Sequence, residues 1–129
     1  MTNFNERRCV VGSEGDVTTA SQAALLFARR AGFSVMRQMC VAGLVSELGK
    51  DVVKRSGRAV VVIRDESDDA TAKVRVLLQD RGPVDAAHLA ERETAESWAS
   101  RWEDGELTFE LDPDGTRLSV AMGHPKTLH

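Results

Sequence analysis

No run of this chain approaches the ~18 consecutive apolar residues that a membrane-spanning helix needs, so a helical span is excluded. Cysteine is scarce. Cys9 and Cys40 are the two present, without metal-type spacing, and reduced thiols in a cytoplasmic protein are the expectation. Positive charge is not in excess either: 17 Lys and Arg stand against 20 Asp and Glu, a formal charge of -3. A general nucleic-acid binder would carry a basic stripe, and this chain does not. The opening residues Met1 to Arg8 lack the apolar core of a signal peptide. His88, His124 and His129 share no ligand spacing. Repeats, linkers and a composition break are missing too, so residues 1–129 read as a single domain.

What is present is a 42% hydrophobic content over 129 residues, enough for a two-layer core. Arg7 to Val11 reads as a short strand stopped by Gly12. Asp16 to Ala31 reads as a helix that Ser13 or Asp16 can cap, with Arg29 and Arg30 at its negative end and Gly32 stopping it. Ser34 caps a longer helix to about Arg55, whose Val41, Val45, Leu48 and Val52 recur at helical spacing. The β-branched run Ala59 to Ile63 suits a buried strand, and Lys73 to Asp80 returns beside it, with the acidic cluster Asp65 to Asp69 as the hairpin tip. Asp85 to Trp102 forms a third helix, with Leu89, Trp98 and Trp102 toward the core. Glu106 to Leu111 and Thr116 to Met122 are strands joined at Asp112-Pro113-Asp114-Gly115, and Gly123 to His129 reads as a loose tail. The order β-α-α-β-β-α-β-β predicts an α/β (α+β) two-layer sandwich, a mixed or antiparallel sheet with helices on one face.

Several short matches, in order and at matching spacing, carry a resemblance over nearly the whole chain. They are Cys9-Val10-Val11, Glu14 to Ala20, Arg30-Ala31-Gly32-Phe33-Ser34, Gln38, Val41-Ala42, Ser46-Glu47-Leu48, and Gln79-Asp80-Arg81-Gly82-Pro83. With them the chain resembles the GHKL (Bergerat-fold) ATPases, and among these the RsbT-type switch kinases and RsbW-type anti-sigma kinases that regulate bacterial sigma factors. The switch-kinase branch matches best. The resemblance implies a Glu on a helix as general base, here Glu47. It also implies an Asn four residues on that holds Mg²⁺; Asp51 stands there. Spacing i, i+4 puts both on one helical face. A carboxylate remains a hard ligand for Mg²⁺ but adds negative charge beside a polyphosphate.

The resemblance further implies that Asp80 receives the adenine amino group and that Gly82 lets backbone approach the nucleotide. Val84 replaces the family's second glycine. No glycine occurs between Gly82 and Gly105, so the glycine-rich lid that wraps the phosphates is missing. Phosphoryl transfer rests on positioning and charge stabilisation, and its loss is the expectation. The resulting reading is a switch protein with a degenerate ATP site and no cofactor. Its implied partners are a STAS-domain antagonist or scaffold and a PP2C-type phosphatase or a sigma factor. No nucleic acid or membrane is expected, and a homodimer is left open.

An active serine/threonine kinase using Mg-ATP, or a direct anti-sigma factor, is the alternative. Each landmark also has a plainer reading. Glu47 can be a solvent-facing or paired carboxylate, Asp51 can pair with Lys54 or Arg55, and Asp80 to Pro83 can be a polar turn ending a strand.

Overall fold

A computed structural model describes residues 5–54, 57–80, 86–102, 106–112 and 115–126. The elements follow one another as β1 (Glu6–Val11), α1 (Glu14–Arg30), α2 (Val35–Lys54), β2 (Ala59–Asp65), β3 (Thr71–Asp80), α3 (Ala86–Ala99), β4 (Glu106–Asp112) and β5 (Gly115–Pro125). The five strands form one sheet in the order β1-β2-β3-β5-β4, and every pairing is antiparallel. The mixed alternative therefore falls away.

Local chemistry explains the helical hairpin. Ser13 has extended backbone and its Oγ accepts the Asp16 amide at 3.2 Å, which settles the cap on Ser13. Glu14 and Asp16 sit at the positive end of α1, Arg29 and Arg30 at the negative end. Gly32 then takes φ +93, a conformation that glycine adopts at little cost. The amides of Gly32 and Phe33 donate to the carbonyls of Arg29 and Ala28, and Ser34 Oγ accepts the Arg37 amide to open α2. α1 therefore folds straight back on itself into α2.

The two helices approach closely because α1 buries mainly alanines: Ala20, Ala23, Ala24 and Ala28 beside Val17 and Phe27. α2 answers with Val41, Leu44, Val45, Leu48, Gly49 and Val52. At Gly49 an added Cβ would lie 3.0 Å from Val17 Cγ2, so the helix axis comes nearer there than alanine comfortably permits. Ser21 Oγ also donates to the Ala42 carbonyl across the hairpin at 3.1 Å.

The sheet offers the helices one face. Along β3 burial alternates, with Ala72, Val74, Val76, Leu78 and Asp80 enclosed and the residues between them less so. On the opposite face Arg75 reaches Ser119 Oγ and the Glu66 carboxylate, beside Val62 and Ala121, which are also buried. Leu44, Leu48, Ile63, Leu78, Leu118 and Met122 are the largest fully buried side chains, each contributing about 1.5–3 kcal/mol of apolar burial. The fold is thus an α+β two-layer sandwich. No helix among the described residues is long and apolar enough to cross a membrane.

Two expectations change. The tail is not loose throughout: Gly123, His124 and Pro125 continue β5 opposite Lys73, Ala72 and Thr71. The reason is that β3 begins at Thr71 rather than Lys73, which supplies the ladder. The third helix ends at Ala99 instead of Trp102, leaving Trp102 in the turn beyond it. Asp85 and Arg55, read as helix termini, lie outside the described residues. The acidic cluster does form the hairpin tip. Asp68 Oδ1 accepts the amides of Ala70 and Thr71 at 2.8 and 2.7 Å, and these bonds hold its carboxyl below the usual aspartate range.

Candidate functional site

Helix α2 lies between α1 and α3, and its outward residues form the site. Glu47 and Asp51, one turn apart, both line a cavity of about 770 Å³. Lys50, Lys54 and Ser46 share that wall. Glu14, Thr18, Ser21 and Gln22 of α1 form the opposite wall, and Thr94 contributes from α3. Val17 and Val53 lie among these side chains, so the lining joins charges of both signs to apolar surface and suits a molecule with both characters. Asp51 has its own partner among its neighbours.

Glu47 is engaged from above by α3. Trp98 Nε1 donates to Glu47 Oε2 at 2.9 Å. The indole reaches that position because residue 43 has no side chain. A Cβ at Gly43 would fall 2.6 Å from the tip of the Trp98 ring, closer than two carbons tolerate. Glycine inside a helix costs about 1 kcal/mol relative to alanine. Here it gives the ring a seat against the α2 backbone. On its other side the indole is covered by the Arg101 guanidinium, 4.2 Å from the ring centroid.

Asp80 occupies a different environment. It closes β3 opposite Ala59 of β2 and Thr116 of β5, on the face of the sheet that the helices cover. It is only 1% exposed and has a partner there. A carboxylate enclosed to that degree requires such partners, since burying it alone would be costly. Asp80 is not among the described residues that line the cavity at Glu47 and Asp51. The structure thus brings Glu47 and Asp51 to one cavity and encloses Asp80 at the end of β3. Gly82, with Pro83 and Val84, lies outside the described residues.

Sequence reasoning missed the pairing of Gly43 with Trp98. The available signal was a glycine in the interior of an otherwise regular helical pattern, which calls for a close neighbour. Trp102 does behave as core: it is buried, packs on Phe33 at 5.1 Å between ring centroids, and carries Arg37 over its ring at 5.0 Å. Trp98, read as its core companion, is half-buried and serves Glu47 as well. Cys9 is buried, Cys40 is partly so, and both thiols are free.

Against known proteins, no family model matches the chain. Among curated proteins it is similar to the serine/threonine-protein kinase RsbT of Bacillus subtilis (strain 168), with 25% identity over 81 residues. That stretch covers 62% of this chain and 61% of the relative, less than two thirds of the relative's length.

Proposed function

We propose that this chain is a signalling switch of the RsbT-like kind, a regulator in bacterial sigma-factor control that acts by binding proteins. In this reading the fold is a GHKL-type sandwich whose ATP site is degenerate and whose kinase chemistry is lost. The observation that carries it is the Trp98–Glu47 hydrogen bond. A general base needs an acceptor within reach of the substrate hydroxyl, with room for the substrate around it. At Glu47, which is itself exposed, one carboxylate oxygen already accepts an indole N–H, and the ring stands beside it on the α3 side. The enclosure of Asp80 adds to this, because an adenine amino group would have to displace what surrounds it. The similarity to the kinase RsbT supports the pathway, and a protein-binding role can persist on the surface after the nucleotide site decays. STAS-domain proteins, a PP2C-type phosphatase and a sigma factor are the partners to be tried.

A second reading, an active kinase, draws on one observation: Glu47 and Asp51 share a cavity of about 770 Å³ with two lysines. Glu47 would then be the base and Asp51 the Mg²⁺ ligand, with Asp80 and Gly82 at the adenine. Calorimetric titration with Mg-ATP separates the two. The switch reading expects no saturable heat at millimolar ATP. Micromolar affinity that disappears in Asp80→Asn would overturn it. Binding assays with purified partners then divide the branches, and binding of a sigma factor alone would move the chain to the direct anti-sigma role.

A further inference from the structure

The outer face of the α1–α2 hairpin changes character along its length. Val17 lies against Gly49 and Ser21 against Ala42, so the helices run antiparallel and the same register brings Leu25 level with Met39. Near this end the exposed large hydrophobic side chains collect: Val35 at 71% exposure, Met36 at 77% and Met39 at 64%, with Leu25 and Leu26 on α1. Val35, Met36 and Met39 sit within a turn and a quarter of one helix. Apolar side chains clustered this way, rather than scattered singly, mark a binding surface. Methionine adapts its shape to a partner better than other apolar residues do.

The rim of this patch is charged with one sign. From Val17 to Ser46 the sequence contains no Asp or Glu, and its only charges are Arg29, Arg30 and Arg37. Arg101 joins them from the turn after α3. In a chain of net charge -3 this is a local reversal. Arg37 is stacked over Trp102 and Arg101 over Trp98, so two of the four guanidinium groups are held in place before any partner arrives. Among the described residues no carboxylate pairs with any of the four. Preorganised arginines lose less freedom on pairing with carboxylates, and arginine with methionine is the composition of protein interfaces. Lysine is absent from the rim, and the cluster is smaller and less aromatic than an anionic membrane surface calls for.

We propose that Leu25, Leu26, Val35, Met36 and Met39, rimmed by Arg29, Arg30, Arg37 and Arg101, form the docking surface for an amphipathic helix of a partner protein whose apolar stripe is flanked by Asp and Glu. This deepens the switch reading above and rests on it. It assigns that function to a surface about three helical turns from Glu47.

The test is a nitrogen-15 NMR titration with a synthetic 16-residue helical peptide that carries a leucine stripe and Glu flanks. A second peptide has the same stripe and Lys flanks. Saturable shifts are expected in the second half of α1 and the first half of α2, with binding weakened by salt and about tenfold weaker for the Lys peptide. The double substitution Met36→Glu, Met39→Glu should reduce affinity by at least about tenfold while the spectrum remains that of a folded chain. The milder Met39→Gln guards against misfolding. Arg37→Glu should shift the preference toward the Lys peptide.

Four results would overturn the proposal. They are no binding up to millimolar peptide, equal binding of both peptides, concentration-dependent dimerisation abolished by the double substitution, or patch-dependent binding to phosphatidylglycerol vesicles in place of peptide. Mg-ATP titration of the same samples keeps the two readings apart. Tight ATP binding beside intact peptide binding removes the inactive-site reading and leaves the surface standing. Silent ATP titration with no peptide binding does the opposite.

Discussion

The two ends of the α1–α2 hairpin share one scaffold and differ in almost everything that water touches. At the end where α1 begins, the outer face presents Glu14, Glu47, Asp51, Lys50 and Lys54 around a cavity. At the turn end it presents methionine, valine and leucine among arginines. The buried faces beneath are alike, a continuous row of small and aliphatic side chains. The comparison teaches that packing fixes the helices and leaves the outer residues at liberty to diverge. One end gathers charged side chains of both signs around a cavity, and the other gathers apolar side chains among arginines. Between them stands Trp98, with its ring on Gly43 and its N–H on Glu47.

The largest effect expected comes from beneath both ends. Leu48→Ala should cost about 2–5 kcal/mol in denaturant unfolding, since Leu48 is fully enclosed. Met36→Ala should stay within about 0.5 kcal/mol. A cost above about 1 kcal/mol for Met36→Ala would mean that the turn end is structural, and the contrast would collapse.

Next in size is the link between the ends. Trp98→Phe removes the donor to Glu47 together with the ring edge that lies on Gly43, and the lost bond to the exposed carboxylate accounts for about 1 kcal/mol of the expected cost. The further loss on adding Glu47→Ala should be much smaller than that of Glu47→Ala alone, a coupling read from a double-mutant cycle. Additive costs would show that the two side chains do not cooperate.

Gly43→Ala should displace the Trp98 ring, because its Cβ would occupy space now filled by that ring. The gain in helix propensity, about 1 kcal/mol, offsets part of the disturbance, so the net stability change is small. The indole N–H resonance should nonetheless shift and its exchange with water quicken. An unmoved resonance would place the ring elsewhere.

The smallest effect lies away from both ends. The Asp68 carboxyl is held below its usual value by the Ala70 and Thr71 amides. Its contribution is therefore present above the ordinary aspartate value and is lost as pH falls through the lowered one. The amide resonances of Ala70 and Thr71 should follow that low-pH titration while those of α1 and α2 stay unchanged. Movement of the helices in step would tie the hairpin tip to the site.

Much of this architecture was legible in the residues. Ser13, Gly32 and Ser34 announce the helical hairpin by their capping and turn chemistry, and the alternation along Thr71 to Asp80 identifies a strand with one buried face. Glu47 and Asp51 were rightly placed on one helical face by their spacing. What sequence could not supply were contacts between distant segments. Nothing local in Trp98 says that it meets residue 43, and the seat exists only once α3 lies beside α2. Asp80 shows the same limit, since a strand-ending polar residue looks solvated until neighbouring strands and helices enclose it. The added strand residues at Gly123 to Pro125 depended on how early β3 begins.

The position of β1 at the margin of the sheet has a consequence for how the chain acquires its shape. Val11 meets Ala59 only after the entire helical hairpin has been placed between them, whereas β2 and β3 meet across a short tip. Closing the longer span carries the larger entropic cost and slows the step that depends on it. The hairpin of β2 and β3 can therefore assemble early as a template, with β1 zipping on late. Among the described residues β1 has a hydrogen-bonded strand on one side alone, so it is also positioned to peel away first, and its amides should exchange with solvent while those of β3 remain protected.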